Sequence, residues 1–168
     1  MKPVPRKFLL RTTAAAALLG LATSPLLAGT YTSPLQVSVS VPAACTVTAT
    51  PLAFPNYVSG QPGNDDTTST VTVNCSADTS VTVTADMGLH GSGTQRNVSN
   101  GTHTLLYNIY TDTFTTIWGD GTSGTGTFGP TTTSGGTKVF TANGRIPGSQ
   151  TADANTTYTD TVTVTVNF

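Results

Sequence analysis

Between Tyr158 and Phe168 the chain alternates. Tyr158, Val162, Val164, Val166 and Phe168 occupy even positions, and Thr159, Thr161, Thr163 and Thr165 stand between them. Successive side chains of a β-strand point to opposite faces, so this period predicts a strand from Tyr158 onward with one buried face. A second run of the same period, Leu35, Val37, Val39 and Val41, lies near the other end. It continues on odd positions through Ala43, Cys45, Val47 and Ala49, with Pro42 inside it. Proline donates no ladder hydrogen bond, so a strand breaks or changes partner there. A long apolar strand at a sheet edge invites pairing with another chain. Together the two runs predict a subunit that associates by exchanging strands.

Between them the pattern predicts several short strands. Residues 51–67 are turn-rich, with a cluster at Gly63-Asn64-Asp65-Asp66. Val71, Val73 and Cys75 alternate, and after a turn at Ala77-Asp78 so do Val81, Val83, Ala85, Met87 and Leu89. Residues 90–103 read as a polar loop. Leu105, Tyr107 and Ile109 open another strand, which Phe114, Ile117 and Trp118 extend. The glycines of residues 119–136 predict a long hairpin or loop. Lys138–Ala142 reads as a short strand and Gly144–Asp153 as a turn-rich link. Frequent turns without an amphipathic helical stretch predict an all-β antiparallel sandwich.

Composition agrees. Thr accounts for 37 of the 168 residues and Glu is absent, which favours strands over helices. Lys2, Arg6, Lys7 and Arg11 precede an apolar stretch from Ala14 to Leu21, followed by small residues to Ala28. That layout predicts a secretory signal peptide over residues 1–28, although Leu26 is large for its place before the cut. Residues 29–168 then keep Arg96, Lys138 and Arg145 against eight Asp, a formal charge of −5. No basic patch remains for a nucleic acid. In an exported chain the two cysteines, Cys45 and Cys75, read as a disulfide; a metal pair lacks a neighbouring His.

Motifs for chemistry are weak. Gly119-Asp120-Gly121-Thr122-Ser123-Gly124 fits a dinucleotide pattern, but the sequence after it is Gly- and Thr-rich and reaches Pro130 without a helical stretch. His90 and His103 lack a nucleophile elbow. Asp65 and Asp66 lack the spaced ligands of a calcium loop and read as a solvated turn. The chain is therefore expected to be no enzyme and to need no cofactor. Phe54, Tyr57, Tyr107, Tyr110, Trp118 and Phe140 fill a core or, with Trp118 beside the glycine loop, line a sugar site.

Burying Leu35, Val37, Val39 and Val41 in a neighbour would contribute roughly 6–12 kcal/mol, at about 1.5–3 kcal/mol each. The same residues could instead form a long first strand on their own sheet, and pattern alone leaves both readings open. From Cys45 to Phe168 the chain resembles the spore coat protein U domain family, which includes subunits of archaic chaperone–usher pili. The resemblance rests on an ordered set of motifs: Cys45-Thr46-Val47, Phe54-Pro55-Asn56-Tyr57, Val71 to Cys75, Arg96, Leu106 to Tyr110, Trp118-Gly119, Gly144-Arg145-Ile146-Pro147-Gly148 and Tyr158 to Val164. Pro55 stands where the family often has Gly.

The resemblance implies an incomplete immunoglobulin-like sandwich over residues 45–168, lacking its last strand. It implies a donor strand of Leu35, Val37, Val39 and Val41 within an N-terminal segment 29–44. It also implies an acceptor groove edged by Val162, Val164, Val166 and Phe168. The partners would be a periplasmic chaperone, an outer-membrane usher and identical or related subunits. The product would be a surface fimbria for attachment or biofilm. The rival readings are a secreted glycan- or surface-binding module and a spore or cell coat protein.

Overall fold

In a computed structural model, the structure describes residues 29–168. The expected signal peptide lies outside the described residues. The chain divides into two units, residues 1–38 and 39–168. The described part of the first, residues 29–38, is exposed and carries no strand or helix. The second is all β: β1 (Cys45–Ala49), β2 (Asp65–Cys75), β3 (Ser80–Ala85), β4 (Arg96–Ser99), β5 (Thr104–Tyr110), β6 (Phe128–Thr132), β7 (Thr137–Ile146) and β8 (Val164–Asn167). One sheet runs β1-β2-β7-β5-β4 and the other β6-β3-β8, with every ladder antiparallel.

The period-2 pattern decides what each strand buries. Val71, Val73 and Cys75 of β2 face Val81, Val83 and Ala85 of β3 across the core. Tyr107, Ile109, Ala142 and Ile146 join from β5 and β7. The Thr residues between them lie mostly on the outer faces. Cys45 and Cys75 are paired in the β1–β2 register and joined by a disulfide.

Several expected bounds shift. β3 stops at Ala85, before Met87 and Leu89, because Asp86 turns the chain by accepting a hydrogen bond from the Gly88 amide at 2.9 Å. β4 lies inside the expected polar loop, unheralded because its residues Arg96, Asn97, Val98 and Ser99 are mostly polar. β6 lies inside the glycine-rich segment as the outer strand of its sheet, a place where Pro130 removes no inner ladder bond. Phe114 joins no ladder, whereas Ile117 and Trp118 make single bridges to Tyr110 and Gly126. β7 runs on through Ile146, beyond the expected Ala142.

The glycines of the 144–148 motif have steric causes. A Cβ on Gly144 would stand 2.7 Å from Leu52 and 2.9 Å from Phe54, which lie flat across β7. One on Gly148 would stand 2.5 Å from the carbonyl of Gly63. Gly144 thus leaves room on β7 for the Leu52 and Phe54 side chains, and Gly148, just past β7, leaves room for the Pro62–Gly63 backbone.

Trp118 belongs to the core. It is 2% exposed, its indole N–H donates to the Val83 carbonyl at 3.0 Å, and its ring centre lies 4.8 Å from that of Phe128. It offers no exposed face on which a sugar could stack. Beside it Arg96 is wholly buried. Its Nε and Nη2 donate to the Asp86 carbonyl, and Nη2 also donates to that of Trp118 at 2.7 Å. Burial pulls the Arg96 guanidinium below its ordinary pKa, against the opposing pull of Tyr107, Asp86 and Asp160.

Candidate functional site

On one side of the sandwich two strands end their sheets. Among the described residues β1 ladders only with β2, and β8 only with β3, so each ends its sheet with one edge unpaired. These two ends approach each other on the same side of the sandwich. There a groove of about 1190 Å³ lies against the core, between the end of β1 and the start of β8. Its floor includes Val71, Tyr107, Ile109, Trp118, Ala142 and Ile146. Small-molecule pockets hold roughly 300–1,000 Å³, so this groove has room for a segment of chain.

Two irregular segments form the rims. The first, residues 49–59, leaves the end of β1 and brings Leu52, Phe54 and Tyr57 onto the core. The Tyr57 hydroxyl accepts from the Gln150 amide at 2.9 Å and fixes this rim to the segment after β7. The second, residues 152–162, leads into β8. It keeps the alternation seen in the sequence: Tyr158, Asp160 and Val162 are half-buried, and the Thr residues between them are exposed. Yet only residues 164–167 form a ladder. The stretch changes sheet on the way, because Thr159 exchanges two 2.9 Å backbone bonds with Ser99 of β4, while β8 pairs with β3 in the other sheet.

Asp160 marks the crossing point. It accepts from the Tyr107 hydroxyl at 2.7 Å and the Leu89 amide at 2.9 Å, and His90 Nδ1 lies 3.1 Å away. Burial, reinforced by the Asp160 carboxylate, pushes the Tyr107 phenol far above its ordinary pKa. At the outer end of the rim His103 Nδ1 lies 2.7 Å from Asp153, whose pKa is held low by hydrogen bonds from Asn100 and His103. Each histidine thus pairs with a rim carboxylate. Asp65 and Asp66 diverge, and Asp66 takes a bidentate pair from Arg145, both bonds at 2.7 Å. No group of residues with metal-ligand potential occurs among the described residues.

The residues singled out from the sequence fall as follows. Val162 and Val164 line the groove. Val166 packs against the core but outside the groove lining, and Phe168, past the end of β8, is 59% exposed. Leu35, Val37, Val39 and Val41 are each between 74% and 87% exposed. The rims and Asp160 escaped sequence reading. The turn residues of 51–59 and 152–157 carry no period, and a lone Asp in a Thr-rich strand gives no signal of burial.

Comparison with known proteins places this geometry. No curated protein matches the sequence. Among solved structures the chain is similar to the CsuC–CsuE chaperone–tip adhesion subunit pre-assembly complex from the archaic chaperone–usher Csu pili of Acinetobacter baumannii. The TM-score is 0.56 at 21% identity over 76% of this chain, a likeness of fold. The chain spans 40% of the length of that structure's chain. The model of the Spore Coat Protein U domain matches residues 31–165, nearly everything the structure describes, and by that match the chain belongs to the Spore Coat Protein U domain family.

Proposed function

We propose that this chain is a structural subunit of an extracellular fibre assembled through a chaperone and an usher. Its groove takes an apolar strand from another subunit, and its own residues Leu35, Val37, Val39 and Val41 serve the next. The observation that carries this reading is the open groove of about 1190 Å³ between two unpaired strand ends, in a chain whose N-terminal segment exposes four alternating apolar side chains. An incoming strand would satisfy the free edges with backbone hydrogen bonds and set its register by alternate side chains. Residues 29–44 carry no charge, so seating them in the groove buries no ion. A contact in which groove and donor lie on different parts of one molecule does not close on itself and builds a fibre.

The fold likeness to a subunit bound to a chaperone in a pre-assembly complex supports a transient chaperone partner for the empty groove. Export to the periplasm and display on a bacterial surface follow from the same reading. Attachment or biofilm support is the role such a fibre would serve.

Deleting residues 30–41 tests the donor assignment. The truncated subunit is expected to co-purify with a chaperone and to enter no polymer beyond the position where it accepts a strand. Normal polymers from that deletion would reject the assignment.

A further inference from the structure

Four stretches match Asn-X-Ser/Thr with X other than proline, the acceptor pattern for an N-linked glycan: Asn74-Cys75-Ser76, Asn97-Val98-Ser99, Asn100-Gly101-Thr102 and Asn155-Thr156-Thr157. A Thr-rich chain produces such matches by chance, so pattern alone selects none of them. The fold separates them by what the transfer needs. The carboxamide nitrogen must be free to attack. The hydroxyl two places on must be free to bond to that carboxamide. The backbone must be able to leave the surface and enter an enzyme.

Three of the four are committed elsewhere. Asn74 lies inside β2, paired with Thr46 of β1 on one side and Thr137 of β7 on the other. Cys75 is held by the disulfide, and Ser76 Oγ accepts from the Ala44 amide at 3.0 Å. Asn97 lies in β4 with its Nδ2 donating to the His90 carbonyl at 2.8 Å, and Ser99 Oγ accepts from the Gly101 amide at 3.0 Å. Asn100 ties the turn between β4 and β5: its Oδ1 accepts from the Thr102 and His103 amides, and its Nδ2 donates to Asp153 at 2.9 Å. Freeing any of these carboxamides undoes a ladder or a turn.

Asn155 differs in each respect. Residues 153–157 are all exposed and lie between β7 and β8 outside any ladder. Asn155 stands in the turn with φ of 58°, a left-handed conformation that Asn tolerates better than most residues. Among the described residues neither its carboxamide nor the Thr157 hydroxyl has a hydrogen-bond partner. The stretch is tied at its base instead, where the Ala152 amide donates to Ser59 Oγ and the Asp153 amide to the Tyr158 hydroxyl, both at 2.9 Å. Opening of residues 154–157 breaks no ladder, and such low-cost openings are where a folded protein yields its backbone. Acceptors of bacterial transferases also carry an acidic residue two places before the asparagine. Asp153 holds that place here, whereas Thr72, Gln95 and Val98 hold it in the other three. Asn100 and His103 both bond to Asp153 Oδ2, which leaves Oδ1 without a partner among the described residues.

We propose that Asn155 is the acceptor of an N-linked oligosaccharide, donated by a polyprenyl-diphosphate oligosaccharide. Asn155 Nδ2 forms a bond to the anomeric carbon of the sugar as the bond from that carbon to the phosphate oxygen breaks. The diphosphate leaves with the electron pair, and the carboxamide gives up one proton. Asn155 is among the residues bordering the groove, so the sugar stands at its rim. The proposal takes only export from the fibre reading, and its test requires neither export nor assembly.

Purified full-length protein with its disulfide intact is incubated with a detergent-solubilised bacterial oligosaccharyltransferase and its polyprenyl-diphosphate oligosaccharide. It is then denatured, reduced and digested with trypsin. Cleavage after Arg96, Lys138 and Arg145 leaves Asn74, the pair Asn97 and Asn100, and Asn155 on three different peptides. The mass of one oligosaccharide is expected on the peptide of residues 146–168 and on no other. Asn155→Asp, which keeps a side chain suited to the left-handed turn, and Thr157→Ala are each expected to abolish it. Thr157→Ser is expected to retain it, and Asp153→Asn to lose most of it. A circular dichroism spectrum and urea midpoint matching the parent show that each variant is folded. A folded parent that stays unmodified, or that carries sugar on either of the other two peptides instead, overturns the assignment of Asn155 and leaves the fibre reading untouched. Modification of residues 146–168 that survives Asn155→Asp or Thr157→Ala overturns it as well.

Discussion

Arg96 and Tyr107 hold one corner of the core from two sides. The guanidinium closes the turn after β3 by gathering the Asp86 and Trp118 carbonyls. The phenol reaches Asp160 on the groove rim at 2.7 Å. Neither role was legible. Arg96 sits in a polar run that reads as loop, and a buried cation has no signature in composition. The inward direction of Tyr107 was legible from its parity with Leu105 and Ile109, but not its hydroxyl partner. Because burial raises the Tyr107 pKa in the fold, its contribution to stability is complete below the unfolded value of about 10 and is lost as pH rises above it. The urea midpoint is expected to fall between pH 9 and 11. Tyr107→Phe is expected to lower the midpoint at pH 8 and to flatten that alkaline fall.

Strands with strict alternation were readable and those without it were not. β3, β5, the second half of β2 and, Asp160 apart, the approach to β8 carry apolar residues at alternate positions, so their faces followed from the sequence; the first half of β2 is polar and begins inside the stretch expected to be turn-rich. β4 and β6 do not, and their existence depends on neighbours: β4 on β5, and β6 on the free side of β3. The final strand shows a subtler failure. Its period holds from Tyr158, yet its ladder begins at Val164, because the stretch passes from one sheet to the other around Asp160. Period reports which side chains turn inward, and it does not report which backbone groups are paired. On this element both residues border the groove, but Val162 packs against the core whereas Thr161 is exposed. Val162→Asp is expected to cost about 2–3 kcal/mol in stability and to abolish strand capture. Thr161→Asp should stay within about 0.5 kcal/mol. Urea unfolding and polymer yield check both.

At the scale of the molecule the sandwich class was predictable from Thr content and turn spacing, and the groove was predictable only through family resemblance. An opening between two sheet ends is a property of what the chain leaves out. The disulfide spans 30 residues of sequence and ties the first strand to the second where the N-terminal segment departs. Replacing both Cys45 and Cys75 with Ser is expected to lower stability by about 3.5 kcal/mol in the chain-entropy account, measured by urea unfolding of the oxidised parent beside the variant. It should also loosen β1, whose last residue Ala49 borders the groove, and so reduce the yield of polymer.

The scarcity of cations has its own outcome. Of the three basic residues in 29–168, Arg96 is wholly buried, and Arg145 is clamped by Asp66 while lying over the Phe114 ring. Only Lys138 is exposed without a carboxylate partner among the described residues, and it lies in β7 with its backbone laddered to β2. A trypsin-like protease therefore meets one reachable side chain, on a backbone already tied into a sheet, and an outer surface rich in threonine.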